Sequence, residues 1–255
     1  MNLVNGKFGY ITIILVSIFA IVGVLMLDPI AQDLEYHQFI DQRNIFAIPN
    51  FWNVISSLPF LLVGVMGLKR IFYSHRIRLI EDIKVAYVLF FSGVSLVTFG
   101  SGYYHFSPSN SSLVWDRLPM TIAFMALFSI IISEFVSLKL GKILLWPLIA
   151  FGVYSVFYWH STEVKGEGDL RLYVLVQFLP VLIIPLILLF FKSKFTDVKA
   201  YWILLCAYAL AKILEYFDAV IYNVLLLFSG HSLKHVVVAL GVLFLLKMYS
   251  NREPI

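Results

Sequence analysis

The chain reads as eight long apolar runs separated by short charged breaks, at approximately residues 8–27, 52–73, 83–105, 116–137, 142–160, 171–191, 199–219 and 231–249. Each run is close to the roughly 20 residues that a helix needs to cross a hydrocarbon core about 30 Å thick. No water reaches peptide groups at that depth, so each run must satisfy its own backbone as a helix. Composition points the same way. With 61% of its residues hydrophobic and 13% charged, a chain of this length carries more apolar surface than a soluble domain can hide. We expect an all-α, polytopic transmembrane helix bundle with eight spans. The short loops make it one compact bundle, without repeats or low-complexity linkers. The longest segment outside the runs, Asp28 to Asn50, is acidic and can pack as a cap.

The apolar stretch from Phe8 to Leu27 follows Lys7, as in a signal peptide. Its length suits a spanning helix better, and no A-x-A-like cleavage site follows it, so we read it as a retained span. Orientation follows from the basic residues. With the N-terminus in the cytoplasm, thirteen of the nineteen fall on inner segments: Lys7, Lys69, Arg70, Arg76, Arg78, Lys84, Lys139, Lys142, Lys192, Lys194, Lys199, Lys247 and Arg252. Five fall outside (Arg43, Arg117, Lys165, Arg171 and Lys234), and Lys212 lies in a span. Both termini are therefore expected in the cytoplasm. The net charge of +4 is scattered over helix ends, with no stripe or recognition motif for nucleic acid. One cysteine, Cys206, excludes an intramolecular disulfide framework and a thiolate zinc cage.

Under this orientation four polar residues share one depth, at the outer ends of their helices. His105 ends the third span, Asp116 begins the fourth, and His231 and His235 begin the eighth. A spacing of four puts His231 and His235 on one helix face, as two ligands of one tetrahedral zinc require. Histidines so spaced are more often core or interface residues. A third histidine and an aspartate at the same membrane depth favour metal, because polar groups there are costly and tend to be functional. Three protein ligands leave a position for water, the catalytic pattern; four make a closed, structural site. Ser101, four residues before His105, is either a small residue that lets helices approach, with Gly100 and Gly102, or a donor to a developing oxyanion. Asp116 is either a helix-start carboxylate, favourable for the dipole and paired with Arg117, or a base for metal-bound water. His160 ends the fifth span on the same side; we read it as an interface histidine beside Tyr158 and Trp159, with a ligand role as the alternative. Lys212 and Glu215, three apart in the seventh span, are expected to pair or to line a cavity.

Ser101 and His105 four apart, then ten residues, then Asp116 followed by Leu-Pro-Met, resemble the alkaline ceramidase family. The late His231-x-x-x-His235 completes that family's constellation, and Phe51-Trp52-Asn53, followed by Ser56 and Ser57, resembles its first core helix. The match runs from about Asn50 to the C-terminus. The wider group is the CREST superfamily of membrane hydrolases, which includes progestin/adiponectin receptors and GPI-remodelling proteins. The resemblance implies a seven-helix hydrolase core over 51–255, preceded over 1–50 by an additional transmembrane helix and the acidic extracytoplasmic segment. It implies a buried zinc held by His105, His231 and His235, with Asp116 moving the proton and Ser101 supporting the oxyanion. The implied activity is that of a zinc-dependent amidase, an enzyme that hydrolyses ceramide or phytoceramide, its lipid substrate, to a sphingoid base and a fatty acid on the extracytoplasmic side.

The chain departs from the family before Phe51. It lacks the Asp-Trp-x-Glu-Glu-Asn arrangement that supplies a calcium site in animal members, and Asn50 stands where that family has Glu. Asp41, Asn44 and Asn50 could offer oxygen ligands, but the departure argues against calcium. The same metal, base and oxyanion donor would serve a related lipid ester hydrolase. A fourth protein ligand would instead favour a receptor-like protein with structural zinc.

Overall fold

The computed structural model describes residues 3–74 and 76–255. Among these residues the regular structure is all helix, with no strands and only two isolated bridges, Ile45 with Ile48 and Phe195 with Pro254. The helices are α1 (Leu3–Leu25), α2 (Phe51–Ile55), α3 (Leu58–Lys69), α4 (Lys84–Phe106), α5 (Asn110–Ile131), α6 (Leu138–Val164), α7 (Arg171–Phe190), α8 (Lys199–Tyr216), α9 (Asp218–Leu225) and α10 (Gly230–Asn251). Among the described residues seven helical stretches are long and apolar enough to cross a membrane, starting at Gly6, Phe51, Glu81, Asn110, Leu138, Arg171 and Gly230. The chain is thus built as an integral, multi-pass membrane protein.

The eighth expected span differs in character from the other seven. The helix that includes most of residues 199–219 exists as α8, packed along α10. It is 18 residues long and carries Lys199, Lys212 and Glu215. It is shorter and, for its length, more charged than the other seven, yet it runs the same distance between the ends of the bundle: Tyr201 meets Glu134 at one end and Glu215 meets Lys234 at the other.

Lipid explains the exposed surface. Only 6% of the apolar window of α1 is buried, so nearly all of that helix needs an apolar solvent. It leans on α7, where the Phe8 and Phe190 rings and the Tyr10 and Phe191 rings meet edge-on at 5.5 and 4.9 Å. The interior is filled by buried side chains such as Phe91, Ile130, Leu245 and Leu246.

The segment between α1 and α2 lies over the end of the bundle where α4 finishes and α10 begins. The His37 ring bonds Tyr104 and Asn110 at 3.0 and 2.9 Å, and the Gln32 N–H donates to Glu163. Two Asp-x-Arg pairs pin the loops there. Arg43 grips Asp41 through Nε and Nη2, and its fork also donates to the Leu226 and Leu227 carbonyls. Arg171 grips Asp169 in the same way and donates to the Leu25 and Leu27 carbonyls. Arg43 thus already supplies the cation at Asp41. Asn50 is committed too, donating to the His105 carbonyl at 2.8 Å. Of the three residues with oxygens suited to calcium, only Asn44 remains exposed.

Candidate metal centre

The end of α4 and the start of α10 meet at three buried imidazoles. One candidate ligand atom from each of His105, His231 and His235 lies within 4.8 Å of the others. His105 Nε2 and His231 Nε2 are 3.3 Å apart. Two nitrogens each about 2.0–2.1 Å from one tetrahedral ion stand roughly 3.4 Å apart, so this spacing fits a shared metal. The cluster could hold a metal ion. An all-imidazole donor set suits first-row transition metals better than calcium or magnesium, which prefer oxygen. No carboxylate or thiolate among the described residues joins the trio, which leaves a coordination position for another ligand.

Several side chains set the rings. His235 Nδ1 is 2.8 Å from Ser56 Oγ, and Ser56 donates in turn to the Asn53 carbonyl at 3.1 Å. Ser56 is then the acceptor from His235 Nδ1–H, which leaves the Nε2 lone pair free for a metal. Phe39 covers the rings of His105 and His231 edge-on, at 4.8 and 5.0 Å. The start of α10 is capped twice. Ser229 accepts from the Ser232 N–H, and Asp218 accepts from the His231 N–H at 2.7 Å. Gly230 makes the second cap possible, since a Cβ there would lie 2.0 Å from the Leu214 carbonyl oxygen. Buried Asn53 receives the Ser232 hydroxyl at 2.8 Å, tying α2 to the same turn.

The chain matches no protein-family model and no curated protein sequence.

His105, His231, His235, Ser101 and Asp116 all line one cavity of about 370 Å³. Asp116 is not at a helix start. Ser109 caps α5 by accepting from the Ser112 N–H at 3.1 Å, so Asp116 stands more than a turn inside the helix. Pro119 is correspondingly interior, and its missing N–H leaves the Trp115 carbonyl without its helical donor. At that point α4 comes close: a Cβ at Gly100 would lie 2.0 Å from the Trp115 oxygen. Gly100 therefore brings Ser101 and Asp116 onto facing walls. Ser101 Oγ is 3.0 Å from Ser57 Oγ, and Thr98 donates to the Ser57 carbonyl at 2.9 Å. Below these polar groups the walls are apolar, including Phe60, Val97, Leu127 and Ile131. From Asp116 to Ile131 helix α5 rises about 22 Å, so the cavity is long as well as greasy.

Lys212 and Glu215 pair at 2.8 Å, and both line the cavity. Glu215 also takes Lys234, from the turn between His231 and His235. Sequence reading gave that lysine no role, since a lysine at a helix end looks like one that reaches for water. His160 stays outside the trio and is not part of the cavity wall. Ser56, Ser57 and Phe39 also escaped a role. Their contacts to the histidines and Ser101 join distant parts of the chain, and no local spacing signals them.

Proposed function

We propose that this protein is a zinc-dependent membrane hydrolase that cleaves the amide bond of ceramide-like N-acyl lipids to a long-chain amine and a fatty acid. The observation that carries the reading is a cluster of three buried imidazoles facing the same cavity as a carboxylate and a hydroxyl, at the polar end of a long apolar chamber. When bound, zinc supplies Lewis acidity that makes water nucleophilic near neutral pH and polarises a carbonyl. Asp116 takes the proton from the attacking water as the C–O bond forms, and returns it to the amide nitrogen as the C–N bond breaks. Ser57 Oγ and Ser101 Oγ share a hydrogen bond in which either hydroxyl can donate; with Ser57 as donor, the Ser101 proton is left for the developing oxyanion. The apolar walls hold the acyl chain and exclude water, which strengthens both interactions. The positive-inside bias puts this chemistry on the extracytoplasmic side.

The test is to incubate purified protein with ceramides, phytoceramides and diacyl lipids and to identify products by mass spectrometry, alongside metal analysis. Amine and fatty acid should appear, with about one zinc per chain. Asp116→Asn should keep the metal and lose about 10²–10⁴ in turnover. Release of fatty acid from diacyl lipids alone would make the protein an ester hydrolase. Wild-type protein that binds no metal would overturn the proposal.

A further inference from the structure

The polar end of the cavity holds a guanidinium with no anionic partner. Arg117 is 7% exposed and lines the cavity. Its planar group lies between Trp159 and Tyr173, 4.1 and 4.5 Å from the ring centroids. Its Nη2 donates to the Gln32 side-chain oxygen at 2.7 Å, and its Nη1 has no partner among the described residues. No carboxylate among the described residues lies within ion-pair distance of it, whereas Arg43, Arg171 and Arg252 each face one. The nearby lysines do not redress the balance. Glu215 is shared by Lys212 and Lys234, so one carboxylate serves two ammonium groups. The wall thus carries three side-chain cations, Arg117, Lys212 and Lys234, against two carboxylates, Asp116 and Glu215. A buried cation without a counter-ion is costly. A neutral ligand would leave that cost in place. An anionic one would remove it, and the guanidinium fork matches a carboxylate or phosphate with two parallel hydrogen bonds.

We infer that the polar end of this cavity is an anion-binding subsite anchored by Arg117, and that it takes an N-acyl lipid whose head bears a carboxylate or a phosphate. The choice of an N-acyl lipid rests on the hydrolase reading; the anion site itself does not. The acyl chain would fill the apolar chamber, the amide would lie at the histidines, and the head's anion would reach Arg117.

The experiment uses metal-stripped protein, so that binding is read without turnover. Three ligands share one acyl chain and one amide: N-dodecanoylglycine, with a carboxylate; N-dodecanoylethanolamine, which is neutral; and the O-phosphate of the latter. Their dissociation constants are measured by displacement of a fluorescent acyl probe. At least one anion should bind about ten- to a hundredfold tighter than the ethanolamide, and which one identifies the head. Arg117→Gln should abolish that preference, and Arg117→Lys should restore part of it. Equal binding of all three ligands by the wild type would overturn the subsite, a result that needs no variant to fold. A preference that survives in folded Arg117→Gln would overturn Arg117 as its anchor. A protein that prefers anions but cleaves no amide sinks the hydrolase and leaves the subsite. A protein that cleaves neutral ceramide without anion preference does the reverse.

Discussion

Two buried polar clusters occupy opposite ends of the bundle, and they solve the cost of burial in different ways. Where α5 and α10 finish, Glu134 and Arg252 are both fully buried and every polar contact is made. Glu134 accepts from Arg252 Nη1 at 2.6 Å, from Tyr201 at 2.8 Å and from Ser193 at 2.6 Å. Arg252 also donates to the Arg78 carbonyl and the Tyr87 hydroxyl, with Phe195 and Tyr249 flanking its guanidinium. At the histidine end, His105 Nδ1, Asn53 Nδ2 and Arg117 Nη1 are buried without partners, and none of the atoms of the Glu134–Arg252 cluster is in that condition. Buried polar groups that are fully satisfied fix one structure. Of these open groups Arg117 lines the cavity, beside the three imidazoles that could hold a metal. Satisfaction, more than burial or charge, distinguishes the Glu134–Arg252 end from the histidine end.

The comparison breaks first on Arg252. Arg252→Leu leaves Glu134 buried without its cation, a change that should cost about 3–5 kcal/mol of stability. Unfolding in detergent should show that loss, while the folded fraction keeps its metal. Pairing the change with Glu134→Leu should recover most of it, since an apolar replacement of both partners is often neutral. A normal unfolding midpoint with lost metal would mean that this end also serves the site. Ser56→Ala probes the other end more gently. Loss of the acceptor that orients His235 should weaken metal binding about 10–100-fold, with the fold retained. Metal titration of the two proteins decides it; an unchanged affinity would mean that Ser56 does not set the ring.

This difference explains what could be read in advance. Helical periodicity was legible because lipid demands helices, and His231 with His235 was legible because four residues make one turn. The depth shared with His105 came from charge asymmetry between loops. Ser56 lies 179 residues from His235, and Ser57 lies 44 from Ser101; such contacts depend on how helices cross. Asp116 was misplaced at a helix start because Pro119 resembles a first-turn proline, while Ser109, the true cap, sits in a polar loop. The charge on α8 was visible, but the second cation on Glu215 was not, because Lys234 arrives from another helix.

The smallest effect belongs to Asp169→Asn, and it separates satisfaction from position. Asp169 lies at the histidine end, yet both of its oxygens are engaged, by Arg171 at 2.9 and 2.8 Å and by Tyr158 at 3.0 Å. The Arg171 guanidinium beside it holds its carboxyl below the usual carboxylate range. If depth marked function, this change would impair metal binding or turnover. If satisfaction marks structure, it should cost only stability, about 1 kcal/mol for a pair near the surface. The sign of the pH dependence follows from the lowered folded pKa. The stabilisation is complete above the ordinary aspartate pKa of about 3.9 and disappears as the pH falls through the folded value. The stability difference between wild type and Asp169→Asn should therefore be constant near neutral pH and shrink below about pH 4. Unfolding measured across that range, with metal content taken at pH 7, reads both. A variant of normal stability that has lost its metal would make position the better guide.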